Sequence, residues 1–125
     1  MNALEIKELT KKYGKAVAVD NIDLTIKKGE FFGLLGQNGA GKSTTINCIT
    51  GISQFAQGSI AVMGNDVQEE YQKARISIGL SPQEFNADIF APLEKILNFV
   101  GGYFGLDSKT RAERINEVLD RFELQ

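Results

Sequence analysis

The 125-residue chain has no histidine and a single cysteine, Cys48. Without an imidazole it runs no histidine-based acid–base catalysis. One thiol closes no internal disulfide, and alone it supplies too few ligands for a metal centre. Cys48 is expected as a small buried hydrophobe on a helix. Long apolar runs are missing too: nothing approaches the roughly 18 residues that a membrane span needs. No charged-then-apolar leader opens the sequence, so a soluble, cytoplasmic protein is expected. An excess of basic charge is also lacking. With 14 basic and 16 acidic residues the formal charge is −2, which leaves no electrostatic footprint for nucleic acid, and no such partner is expected. Repeats, linkers and low-complexity stretches are absent.

What is present is ordinary for an α/β protein: 42% apolar residues, 24% charged, and 13 glycines gathered at turns. Three of those glycines fall in Gly36-Gln37-Asn38-Gly39-Ala40-Gly41-Lys42-Ser43-Thr44, which fits G-x-x-x-x-G-K-[ST] at every fixed position. Glycines at 36, 39 and 41 let the backbone approach an anion with no Cβ in the way. Successive N–H groups can then point at phosphates, together with the positive end of a following helix. Lys42 brings a full charge to the β- and γ-phosphates, the Ser43 hydroxyl can ligate Mg²⁺, and Thr44 offers a further hydroxyl. A dinucleotide-type G-x-G-x-x-G is excluded, because Thr44 stands where the third glycine belongs.

The flanks suit a phosphate loop. Phe31-Phe32-Gly33-Leu34-Leu35 predicts a parallel strand buried on both faces, and Lys42 to Thr50 predicts a helix stopped by Gly51. Leu4 to Lys7 and Ile22 to Ile26 alternate and predict half-exposed antiparallel strands. Thr10 to Lys15 reads as a charged turn carrying Tyr13, and Lys27 to Glu30 as a second turn. A strand is predicted over Gly58 to Met63, closed by Gly64-Asn65-Asp66, then a helix over Val67 to Ala74 and a strand over Ile76 to Leu80 that Pro82 terminates. Two helices follow: Leu93, Ile96, Leu97, Val100 and Phe104 mark the first, weakened by Gly101 and Gly102. Ala112, Ile115, Leu119 and Phe122 mark the second, with Thr110 and Glu113 at capping-box spacing.

Lys12-Tyr13-Gly14, the loop 36–45, Gly58-Ser59-Ile60 and Pro82-Gln83-Glu84 together resemble the ATP-binding subunit of ABC transporters. The loop running into Ile46, with Tyr103-Phe104-Gly105-Leu106, is most similar to the export-type, ABC-2-like branch. The resemblance implies an α/β fold: a P-loop NTPase core with an antiparallel β subdomain, ending before the signature and Walker B segments. It divides the chain into residues 1–30 (mainly the β subdomain), 31–83 (P-loop core with a β insertion) and 84–125 (start of the helical subdomain). It implies ATP and Mg²⁺ as cofactors. Tyr13 takes the role of the aromatic that stacks on adenine; Val19 falls near adenine and ribose, where an apolar residue is equally explained by a core. Gln83 takes the role of the glutamine that meets Mg²⁺ and the attacking water, so Lys42 and Gln83 are the catalytic candidates and Ser43 and Gln83 the metal ligands.

Partners implied are a second ATP-binding subunit and a membrane permease docking near Gln83, Phe85 and Phe90, which places the protein peripherally on the inner face of a membrane. The family's Leu-Ser-Gly-Gly-Gln-type signature, its Asp-Glu strand and its switch histidine are not in these residues. The chain is therefore expected to be the N-terminal part of a transport-coupled ATPase, able to bind Mg-ATP and inactive by itself. Two alternatives stay open: a naturally short, non-hydrolysing nucleotide-binding module, and a soluble ABC ATPase acting on ribosomes or DNA. A GTPase is not among them, since no guanine-reading Asn-Lys-x-Asp occurs.

Overall fold

The computed structural model describes residues 1–84 and 89–124, so Phe85 lies outside the described residues. The alternating segments at 4–7 and 22–26 are the middles of two 12-residue strands, β1 (Asn2–Tyr13) and β2 (Ala16–Lys27), paired antiparallel. The charged turn expected over residues 10–15 is shorter than read. Lys11, Lys12 and Tyr13 still pair with Val19, Val17 and Ala16, and the chain reverses at Gly14, whose φ is +60°. β3 (Gln57–Val62) pairs with the other edge of β1, and β4 (Asn65–Asp66) with β3, giving the antiparallel order β2-β1-β3-β4. Met63 and Gly64 both have positive φ, +50° and +82°, which suits the twist of a tight hairpin.

The alternation of β1 breaks at Glu8, whose φ of +50° marks a bulge between Ile6 and Leu9. The Glu8 amide, lost to the ladder, donates to the Asp23 carboxylate at 2.8 Å. Across the sheet, a Cβ on Gly58 would stand 2.5 Å from the Glu8 carbonyl oxygen, so the bulge requires glycine there. The face bearing Ile6, Leu9, Ile60 and Val62 packs with Val19, Phe55, Val67, Cys48 of α1 (Lys42–Thr50) and Ala74 of α2 (Tyr71–Ile76). Each such large side chain contributes about 1.5–3 kcal/mol when removed from water. Cys48 is buried as read, and burial pushes its thiol pKa up.

Three expectations are corrected. Residues 31–35 form no strand: Phe31 and Leu35 are almost wholly exposed, and no described strand pairs with them. A parallel strand needs neighbours to bond its amides and cover its faces, and every paired neighbour among the four described strands is antiparallel. The helix expected over 67–74 starts later, at Tyr71, because the Asp66 carboxylate accepts from the Gln68 and Glu69 amides at 2.8 and 3.0 Å and holds a turn. Nor is there a strand at 76–80: Ile76 ends α2, and Ile78 packs against the core.

Met1–Leu80 form one compact unit, and the residues from Ser81 onward a second. The second holds α3 (Leu93–Tyr103) and α4 (Ser108–Arg121), with Ile115 of α4 buried. Gly101 and Gly102 do more than weaken α3. A Cβ on Gly101 would meet the Arg111 side chain at 3.0 Å, so the pair makes room for that arginine of α4. The capping box read at Thr110 is also corrected. The N-cap is Asp107, whose carboxylate accepts from both the Thr110 amide and hydroxyl at 2.9 Å, placing Thr110 inside the first turn.

Candidate nucleotide-binding site

Helix α1 runs from Lys42 to Thr50 between two glycines in the left-handed conformation, Gly41 and Gly51. At its amino end the loop folds back on itself. Ala40 donates its amide to the Gln37 carbonyl at 3.1 Å, and the Lys42 ammonium bonds the Gly36 carbonyl, joining the start of the loop to the helix. Gly41 is pressed against β2: a Cβ there would lie 2.5 Å from the Ala18 carbonyl oxygen, at a φ of +91°. Thr45 is turned inward, its hydroxyl donating to the Gly41 carbonyl at 2.8 Å.

No side chain caps α1, and no acidic residue stands in its first turn. First-turn amides of a helix have no helical carbonyl to bond, so those of Lys42, Ser43 and Thr44 remain available and the positive end of the dipole is uncompensated. They border a recess of about 470 Å³ lined by Tyr13, Ala18, Asn38, Gly39, Gly41, Lys42, Ser43 and Thr44. Free donors, a lysine and two hydroxyls at one helix end fit a bound polyphosphate. Among the described residues no three acidic, histidine or cysteine side chains gather as a metal site.

Tyr13, 31 residues before the loop's last hydroxyl residue but one, Thr44, is brought to the same recess by the β1–β2 hairpin. Val19 is not on the lining: it is buried in the core, with its methyl 3.3 Å from the place a Gly41 Cβ would occupy, while Ala18 faces the recess. Gln37 lies in the loop, exposed, and Gly36 stands under Ala40 and Lys42. Gln83 and Phe90 belong to the second unit, where both are exposed. Sequence reasoning missed Ala18, whose only signal is small size, and Lys11, whose ammonium stands over the Tyr13 ring 4.8 Å from its centre.

Loop, helix and antiparallel sheet define part of a phosphate-loop NTPase core. The family profile described as ABC transporter matches residues 19–125, and the chain belongs to that family. It is 39% identical over 122 residues to the probable multidrug ABC transporter ATP-binding protein YbhF of Escherichia coli, covering 98% of this chain and 21% of that protein. It is 38% identical to the Nod factor export ATP-binding protein I of Cupriavidus metallidurans, covering 98% of this chain and 40% of that one. Among solved structures, an ATP-binding subunit of an ABC transporter superimposes with a TM-score of 0.85 at 28% identity, covering 98% of this chain and 51% of its own. The chain therefore spans about a fifth to two fifths of these curated relatives and half of that structure.

Proposed function

We propose that this chain is the Mg-ATP-binding part of an ATP-binding subunit that drives export through a separate membrane permease. The observation that carries the reading is the uncapped amino end of α1, opening on a recess shared by Lys42, Ser43, Thr44 and Tyr13. In this reading the amides of residues 36–44 and the Lys42 ammonium hold the phosphates, and the Ser43 hydroxyl turns to the metal. Tyr13 supports the adenine, beside Ala18, with Val19 behind it. Bound Mg²⁺ neutralises charge on the β- and γ-phosphates. The family resemblance assigns Gln83 to the metal and the attacking water, and Phe85 and Phe90 to the permease contact. Residues 1–30 and the β3–β4 insertion act as the β subdomain, and residues from 84 on begin a helical subdomain. Export is supported by the similarity to the Nod factor export protein above, and pairing with a second such subunit belongs to the same reading.

The full protein is in this reading an ATPase at the inner face of a membrane, and the 125-residue chain alone turns over negligibly, since one clamp and one side of a metal site do not orient a nucleophile. Calorimetric titration with Mg-ATP tests it. Lys42→Ala is expected to weaken binding roughly 10- to 100-fold, the range for losing a charged hydrogen bond. Magnesium alone is expected not to bind. Equal affinity of the wild-type and Lys42→Ala chains, or turnover well above that of the variant, contradicts the reading.

A further inference from the structure

We propose that Lys11 is a positioning residue for the base, holding the Tyr13 ring as a one-sided platform; this rests on the nucleotide-binding reading above. Lys11 precedes Tyr13 by two positions on β1, so the two side chains leave the same face of the sheet. Its ammonium lies over the ring at 4.8 Å and also bonds the Gln54 carbonyl. The ring is tied at its far end as well, by the Tyr13 hydroxyl against the Ser53 hydroxyl at 3.4 Å. Ser53 is itself fixed to the end of α1, through its amide bond to the Asn47 carbonyl at 3.1 Å.

Both anchors therefore come from the segment that leaves α1, the helix whose other end forms the phosphate loop. One helix sets the phosphate site at its amino end and the base platform at its carboxyl end, so their separation is built in before a nucleotide arrives. Half of the Tyr13 surface is exposed, and Lys11 occupies one face, which leaves the opposite face for a planar base. An ordered ring costs less to immobilise on binding than a free one. The sequence carries no such signal for Lys11, which reads only as part of the charged turn Thr10 to Lys15.

The test compares binding of ATP and of inorganic tripolyphosphate, which has no base, by titration calorimetry. Lys11→Met, which keeps the apolar stem, is expected to weaken ATP about two- to fivefold, the scale of an exposed cation–π contact, and to leave tripolyphosphate unchanged. Lys11→Arg is expected to retain ATP affinity. In a Tyr13→Ala background, Lys11→Met is expected to have no further effect. Equal weakening of both ligands by Lys11→Met overturns the proposal in favour of a long-range charge effect. Tighter ATP binding overturns it as well, by showing that the base takes the face Lys11 covers. A wild-type chain that binds tripolyphosphate no better than Lys42→Ala removes the nucleotide-binding reading itself.

Discussion

At Gly41 two demands fall on one residue. The backbone takes φ +91° to begin α1, and the Ala18 carbonyl occupies the space a Cβ would need. Gly39 has a similar φ, +84°, but open space around it. Gly39→Ala is thus expected to cost only the dihedral strain, about 1–3 kcal/mol, whereas Gly41→Ala adds a backbone clash and pushes β2 away from the loop. Denaturant unfolding of the two variants checks this: Gly41→Ala should be the less stable by a clear margin, and equal losses would show that the packing against Ala18 matters little. Cys48 gives a second handle. Burial raises its thiol pKa, so the folded state keeps the proton that an unfolded chain releases. Stability from this group is full below the ordinary thiol range and falls as pH rises through it. A thiol reagent should label Cys48 only upon unfolding, and prompt labelling of the folded chain would contradict its burial.

Among the elements, α4 carries the plainest pH dependence. The Thr110 amide and hydroxyl bond the Asp107 carboxylate and hold its pKa below the usual range. The cap is in place above that ordinary range and is lost as pH falls through the depressed value. Asp107→Ala should lower helicity by circular dichroism at pH 7 and flatten its fall in acid, while Asp107→Asn, another good cap, should keep most of it. An unchanged acid profile in Asp107→Ala would assign the titration elsewhere. The sequence pointed to the wrong capping residue here because Thr110 and Glu113 satisfy a spacing that the backbone places one turn too late. Helix α1 was legible to its last residue, since Gly41 and Gly51 punctuate it on both sides. The phosphate-loop residues were legible for the same local reason. Segment 31–35 was not, because an apolar run announces burial without saying what provides it, and no described strand lies beside it. Nor were the ties of Lys11 to Gln54 and of Tyr13 to Ser53, which join positions 43 and 40 residues apart.

For the molecule as a whole, the exposure of Phe31, Leu35, Phe32 and Leu34 beside the phosphate loop sets the behaviour of the chain in solution. A contiguous apolar segment whose backbone lacks strand partners is prone to association. Sedimentation velocity should show mass rising with concentration, and Phe31→Ser with Leu35→Ser should reduce it; a concentration-independent monomer would contradict this. Among the described residues no helix is long and apolar enough to cross a membrane.

The central claim, that the amino end of α1 holds the phosphates of a nucleotide, is tested most directly by hydrogen exchange of the Lys42, Ser43 and Thr44 amides. They have no helical carbonyl to bond and no side-chain cap, so they should exchange fast in the ligand-free chain and slow sharply with Mg-ATP. Lys42→Ala should abolish the slowing at the same nucleotide concentration. Binding of Mg-ATP that leaves these three amides unprotected would place the nucleotide elsewhere and contradict the account.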